Sequence, residues 1–324
     1  MLPLRLQPGD EIRVIAPSTS LALVKGEQVN IATERLNDLG FKVTFGKHVN
    51  EHDMFFSTSV EERIQDLHEA FADPKVKAIV TAVGGYNSNQ LLQHIDYEFI
   101  QANPKILCGL GDSTALQTAI YTKTGLITYY GPHFSTFGIR HMSDYLVQGF
   151  LTAVTNDAPF DLEPSDRWSD DHWYLEQEER EFHPHEGYRI IQEGKAEGTL
   201  IGGNLSTLNL LQGTAYMPSL ERAILFIEED EEAHPLSFDR GLQSLLQQPG
   251  ADKLKGVLIG RFQKGSNMTR EALDQIVRGK RELEGLPVLA DVNIGHTDPM
   301  ATLPIGGKAS VYAKGEKVEI FVEQ

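Results

Sequence analysis

The chain has 324 residues, with 40% hydrophobic and 23% charged content and a single cysteine, Cys108. That suits a globular protein with a full core, in one large domain or in two at about 150 residues each; one cysteine excludes an internal disulfide framework and a cysteine-based zinc site, and fits a reducing compartment. The 29 basic against 46 acidic residues, a net charge of −17, oppose binding to a nucleic-acid polymer, whose phosphates need clustered Lys and Arg.

The opening Met1 to Asp10 lacks the apolar core and small-residue cleavage site of a secretory signal, and no apolar run reaches the roughly 18 residues of a membrane span. A cytoplasmic enzyme or binding protein, with no membrane partner, is the expectation. Glu11 to Ala16, closed by Pro17, reads as a first strand. Gln28 to Leu39 sets Ile31, Leu36 and Leu39 at helical spacing, and Gly40 stops it. Phe41 to Phe45 alternates as a strand, and Val60 to Phe71 puts Ile64, Leu67 and Phe71 on one helix face. A β-branched strand, Lys77 to Val83, ends at Gly84-Gly85; another, Ile106 to Leu110, leads into a helix from about Ser113 to Tyr121. This alternation predicts a Rossmann-like parallel sheet covered by helices on both faces. Ligands of such sheets bind at the carboxyl ends of strands, where Gly84-Gly85 and Gly109-Leu110-Gly111-Asp112 fall.

The texture changes at Asn156 to Glu186, which holds Pro159, Pro164, Pro184, the acidic stretch Asp166 to Asp171 and both tryptophans, Trp168 and Trp173. It reads as a long functional connection between domains, giving an N-terminal α/β domain over 1–155, a connection over 156–186 and a C-terminal α+β domain with a mixed sheet over 187–324. In that last part strands are expected near Thr199 to Gly202, Ala223 to Glu228, Val257 to Gly260 and Val288 to Ala290, with helices near Leu236 to Leu246 and Arg270 to Lys280. Ala309 to Tyr312 and Lys317 to Val322 read as an antiparallel pair turning around Gly315.

Single motifs say little. Gly109-x-Gly111 has Thr114 where a dinucleotide fingerprint has its third glycine, and no phosphate-binding P-loop exists. His183-Pro184-His185 lacks further metal ligands at suitable spacing, and four of the five acidic residues Glu228 to Glu232 read as a solvated loop. Glu228 differs because it ends the apolar run Ala223 to Ile227, so a strand delivers its carboxylate to a cleft. His296 lies in the turn-rich Asn293 to Pro299, and Gly202-Gly203-Asn204-Leu205 reads as a helix start capped by Asn204. No cofactor or metal is implied.

In order along the chain, Gly9-Asp10 with Ala16-Pro17-Ser18, Val83-Gly84-Gly85-Tyr86-Asn87-Ser88-Asn89, Gly109-Leu110-Gly111-Asp112-Ser113-Thr114-Ala115-Leu116, Tyr130-Gly131-Pro132, Gly202-Gly203-Asn204-Leu205, Phe226-Ile227-Glu228-Glu229 and Asn293-Ile294-Gly295-His296 resemble the LD-carboxypeptidase family of serine peptidases. The Gly-Gly-Tyr-Asn-Ser-Asn wording is nearest its branch of microcin C self-immunity proteins. The resemblance implies a cytoplasmic homodimer whose N-terminal domain carries a nucleophile and whose C-terminal domain supplies Glu228 and His296. It implies His296 as general base, oriented by Glu228, with the backbone N–H groups of Gly85 and Asp112 as oxyanion hole. The implied substrate is a small peptide or peptidyl-nucleotide, cut at an amide in murein peptides or at the bond between a peptidyl aspartate and an adenylate-like group. A serine hydroxyl needs such a base, itself held in one tautomer by a third group.

The chain departs from the family at the nucleophile. The family reads Gly-aromatic-Ser-Asp-x-Thr-Ala-Leu; aligned through Asp112, Thr114, Ala115 and Leu116, this chain has Gly111 in the serine's place and Ser113 two residues on. Two residues advance roughly 200° around a helix, which turns Ser113 away from the spot that position 111 commands, and catalytic geometry tolerates errors of only ~0.5 Å. Ser113 as a helix-capping serine, Ser113 as a displaced nucleophile in a reshaped elbow, a water activated by His296 in the room left by Gly111, and a binding protein without catalysis all stand at this level. Trp168 and Trp173 are candidates to stack on a nucleobase or to pack between domains, and Asn204 is a candidate substrate ligand.

Overall fold

The computed structural model describes residues 1–141 and 143–324. Its strands run in chain order β1 (Glu11–Ile15), β2 (Lys42–Phe45), β3 (Val76–Thr81), β4 (Ile106–Gly109), β5 (Thr128–Tyr130), β6 (Phe160–Asp161), β7 (Arg167–Trp168), β8 (His183–Pro184), β9 (Arg189–Gln192), β10 (Gly194–Asn204), β11 (Ala223–Glu228), β12 (Gly256–Gly260), β13 (Val288–Val292), β14 (Leu303–Ile305), β15 (Lys308–Lys314) and β16 (Lys317–Glu323). The α-helices are α1 (Gly26–Asp38), α2 (Val60–Ala72), α3 (Tyr97–Ala102), α4 (Ser113–Thr124), α5 (Ser143–Thr155), α6 (Leu205–Asn209), α7 (Pro235–Leu246) and α8 (Arg270–Arg278).

The first sheet has the order β14-β5-β4-β3-β1-β2, parallel except for β14. The second has the order β6-β16-β15-β10-β11-β12-β13-β9, with β10 to β13 parallel and the flanking strands antiparallel. A parallel α/β sheet followed by a mixed sheet is the fold the sequence predicts. One strand of the first sheet, β14, comes from the back half of the chain, and β6, inside the expected connection, edges the second sheet. The rest of that connection is ordered too: β7 and β8 form a small antiparallel ribbon.

Central strands read as unbroken apolar runs because helices bury both of their faces. In β3, Ala78 and Val80 face one core while Val76 and Ile79 face another; in β11, Ile224 and Phe226 are split from Leu225 and Ile227 in the same way. Both cores draw on strands from both sheets, so the two halves share their apolar interior. Each such Val, Ile, Leu or Phe side chain, fully buried, contributes ~1.5–3 kcal/mol. The carboxyl ends of β1, β3 and β4 open toward those of β10, β11 and β13, and this common edge holds the site.

Candidate active site

β4 ends at Gly109, and the chain turns through Leu110, Gly111 and Asp112 into α4. Gly111 has φ +58°, a left-handed conformation costing a residue with a Cβ about 1–2 kcal/mol. A Cβ placed on Gly111 would meet only the His296 ring, with Nε2 at 3.4 Å and Cε1 at 3.5 Å.

His296 reaches this turn because of its path. The chain leaves β13 in one sheet and enters β14 in the other, so the residues between cross the carboxyl end of β4. Asn293 pins the crossing: its Nδ2 donates to the Pro299 carbonyl at 3.0 Å and to Ser165 Oγ at 2.9 Å, and its carbonyl accepts from the Ala301 N–H at 2.7 Å. Gly295, at φ +99°, passes so close to Glu228 that any Cβ there would run into the carboxylate.

Glu228 is the last residue of β11 and is 1% exposed. Its Oε2 accepts from His296 Nδ1–H at 2.6 Å, and its Oε1 accepts from Tyr130 Oη at 2.6 Å and Asn204 Nδ2 at 3.2 Å. Because the carboxylate holds Nδ1–H, His296 presents Nε2 to Gly111. Burial alone would raise the Glu228 carboxyl; the facing His296 and the hydrogen bonds from His296, Tyr130 and Asn204 outweigh it and hold it below the ordinary range. Burial alone would lower His296; the Glu228 charge outweighs that, with help from Asp230 and Glu229, and raises it to about 9.

The remaining expected residues fall as follows. Gly85 and Asp112 line the same cleft as Gly111 and His296, and among the described residues neither backbone N–H donates to a protein acceptor. Asp112 ties the two turns together, its carboxylate accepting from the Ser88 N–H at 2.9 Å and its carbonyl from Ser88 Oγ at 2.7 Å. Ser113 is elsewhere. Its hydroxyl, in a residue 3% exposed, donates to Thr81 Oγ1 at 3.3 Å and makes no hydrogen bond to His296. It does not cap α4 either, since Asp112 holds the cap position and no side chain there bonds the helix backbone. Asn204 does cap α6, accepting from the Thr207 N–H at 3.0 Å. It lines the cleft beside Gly111 and His296, and its Nδ2 donates to Glu228 and Glu229, so it also supports the carboxylates. Trp173 lines the cleft together with Tyr174. Trp168 does not: the Arg261 guanidinium lies 4.6 Å from its ring centre and His183 is 4.8 Å away.

Sequence reasoning missed three contributors. Tyr130 accepts from the Gly111 N–H at 3.1 Å while donating to Glu228. Thr81 links Ser113 to His133, whose Nδ1 accepts from the Thr81 hydroxyl at 2.7 Å. Burial, and then the nearby His296 charge, hold His133 down at about 3, so it stays neutral. No local pattern announces any of them, because each partner is distant in sequence.

Glu229 carries a separate expectation. Burial first, then the Glu228 and Asp230 charges, raise it to about 7 despite its hydrogen bond from Ser206 Oγ at 2.6 Å. A carboxyl raised on folding contributes stability that is complete below its unfolded value near 4.5 and is lost as pH rises through about 7. Glu229→Gln is expected to remove that loss, worth ~3 kcal/mol, and thermal melts between pH 5 and 8 should show a flatter dependence than the parent. An unchanged slope would refute the assignment.

Residues 12–131 match the LD-carboxypeptidase N-terminal domain, and residues 197–311 match the LD-carboxypeptidase C-terminal domain. The chain belongs to the LD-carboxypeptidase family. The crystal structure of an MccF-like protein from Bacillus anthracis str. Ames is 51% identical, with a TM-score of 0.99 over 100% of this chain and 99% of that one. The microcin C7 self-immunity protein MccF of Escherichia coli is 31% identical, over 99% of this chain and 95% of its own length. MccF in complex with aspartyl sulfamoyl adenosine superimposes with a TM-score of 0.90 over 100% of this chain and 98% of that one. The murein tetrapeptide carboxypeptidase of Pseudomonas aeruginosa is 27% identical, over 79% of this chain and 78% of its own. By homology this chain is a hydrolase of the peptidase type. Among the described residues no helix is long and apolar enough to cross a membrane.

Proposed function

We propose that this chain binds a small peptidyl-nucleotide, in preference to a murein LD-peptide, and hydrolyses it slowly at the peptide's terminal acyl bond, with Gly111 standing where the family's serine attacks. One observation carries the reading: Glu228 holds Nδ1 of His296 while Nε2 aims at the place a side chain on residue 111 would fill. With no hydroxyl at 111, Nε2 takes a proton from a water molecule and the resulting hydroxide adds to the acyl carbon. The oxyanion receives the N–H groups of Gly85 and Asp112. As the tetrahedral species collapses, the bond to the leaving nitrogen or oxygen breaks and the His296 imidazolium returns the proton to it. Trp173 and Tyr174 supply an aromatic wall for the base, worth ~1–3 kcal/mol.

Serine hydrolases stripped of a triad member retain ~10³–10⁴-fold catalysis over water from oxyanion hole and binding, so turnover is slow. The same missing hydroxyl favours a second reading, a protein that holds the conjugate without cleaving it. Incubation with a peptidyl-adenylate and with a murein tetrapeptide, followed by product analysis and calorimetric titration, separates the two. Product from the nucleotide conjugate supports hydrolysis; saturable binding with no product supports the second; neither binding nor product defeats both.

Ser113→Ala is expected to leave the rate unchanged within about fivefold, because the Ser113 hydroxyl bonds Thr81 and not His296 and losing a neutral hydrogen bond of that kind costs only ~1 kcal/mol. Loss of product with the fold intact would make Ser113 the nucleophile and overturn the reading.

A further inference from the structure

Away from the cleft, the loop after β2 and the first turn of α2 bring His48, Glu51 and Glu62 together, with one ligand atom from each lying within 4.8 Å of the other two. His48 Nδ1 is 3.1 Å from Glu51 Oε1 and 3.8 Å from Glu62 Oε1. The His48 side chain is 8% exposed, and this nitrogen is buried without a hydrogen-bond partner of acceptable geometry.

The ring's orientation is held from its other side. Gln65 Nε2 donates to Glu69 Oε1 at 2.7 Å, which turns the Gln65 Oε1 toward His48 Nε2 at 3.3 Å. A carbonyl oxygen only accepts, so Nε2 carries the ring proton. When it carries no second proton, the ring presents a bare lone pair on Nδ1 to two carboxylate oxygens, an arrangement of three acceptors that a cation, a metal ion or a proton, must bridge.

Glu62 is held for the same purpose. It closes the capping box of α2: its Oε2 accepts from Ser59 Oγ at 2.8 Å, from the Ser59 N–H at 3.3 Å and from the Thr58 hydroxyl. Its Oε1 is left over, facing His48. Such outer hydrogen bonds are what orient metal ligands. Ligand atoms ~2.0–2.2 Å from one tetrahedral ion stand roughly 3.4 Å apart, which matches the 3.1 and 3.8 Å separations. One imidazole and two carboxylates suit a borderline divalent ion and neutralise its charge. The Glu51 and Glu62 side chains are 49% and 36% exposed, leaving a path for the ion and a position for water.

We propose that His48, Glu51 and Glu62 form a Zn2+ site that clamps the loop after β2 onto α2. The clamp lies behind the cleft wall. The carbonyl of Val49 accepts from the Leu21 N–H at 2.9 Å and Ser20 Oγ at 3.2 Å, and Ser57 Oγ accepts from Asn87 Nδ2 at 2.7 Å, two residues beyond Gly85.

The test uses the full chain, stripped with EDTA and dialysed, titrated with ZnCl2 by calorimetry and with CoCl2 by visible absorption. Expected are one ion per chain, a Co2+ spectrum of low coordination number and a melting temperature raised by a few degrees in excess Zn2+. Glu51→Gln, on an exposed loop, should weaken binding at least ~tenfold without lowering the melting temperature of the metal-free form. Glu62→Gln keeps the capping box and should weaken binding to the same degree, as should His48→Gln. Absence of stoichiometric binding, or binding that survives Glu51→Gln and Glu62→Gln, overturns the site and leaves a proton as the bridging cation.

Discussion

Replacing Gly111 by serine is expected to raise hydrolysis of a peptidyl-adenylate by ~10³-fold or more. In a serine hydrolase the nucleophile acts as a unit with its base, and its loss costs ~10⁶ in kcat; the rest of that unit is in place here. Glu228 holds His296, Tyr130 holds Glu228 and the elbow backbone, and the position of a Cβ at 111 is 3.4 Å from Nε2. The new hydroxyl would lie one bond beyond that Cβ, within hydrogen-bond reach of the base. Its cost is the φ of +58°, ~1–2 kcal/mol of stability for a residue with a Cβ, so the variant should melt slightly lower while turning over faster. Burst kinetics with an acyl-enzyme detectable by mass would confirm the restored route. If Gly111→Ser gains nothing, Gly111 does not occupy the nucleophile's place and the proposed function fails with it.

Glu228→Gln should have the next largest effect, a loss of ~10⁴-fold in the serine-restored enzyme, as expected when an amide replaces a triad carboxylate and the imidazole takes the wrong tautomer. The pH profile gives an independent readout. His296 works as a base only when neutral, and the Glu228 charge outweighs burial to raise it to about 9. Log kcat/KM should therefore climb with pH and level off near 9, and the variant should level off at lower pH because burial then acts with less opposition. Stability follows the same linkage. The raised histidine contributes stability that is complete below about 6.5 and is lost as pH rises through about 9. Glu228, held below its ordinary value, contributes stability that is lost as pH falls through its lowered pKa. Breaking the pair strands a buried charge, at about 3 kcal/mol or more. An unmoved pH limb would mean that Glu228 is not what sets His296.

The proposed clamp at His48 bears on neither result directly, because none of its three ligands lines the cleft. Zn2+ should shift the melting temperature of wild type and Gly111→Ser alike.

The long periodic elements were legible in the chain. Helix α2, with Leu67 and Phe71 on its buried face, falls where Val60 to Phe71 predicts it, and β11 runs over Ala223 to Glu228 as expected. Hydrophobic period and caps act within one or two turns of chain, so they survive translation into sequence. Helices α3 and α5 are absent from the sequence reading, as is β5, which is three residues long and too short to show alternation. Strand β14 is hidden for a different reason: Leu303-Pro304-Ile305 contains a proline, tolerated because β14 is the edge of its sheet, and edge position is a tertiary fact.

The chain alone determined the parallel first sheet, the mixed second sheet and the glycine turns at strand ends, and it raised the expectation that Gly111 stands where the family has its serine. Only the folded molecule decided that His296 faces residue 111 and not the Ser113 hydroxyl, that Tyr130 joins the elbow to Glu228, that Trp173 and not Trp168 walls the cleft, and that Asn204 bonds the carboxylates. Those relations depend on side chains up to roughly two hundred residues apart meeting at angles set by the crossing from β13 to β14, and neither the crossing nor the angles leave any periodic trace in the order of residues.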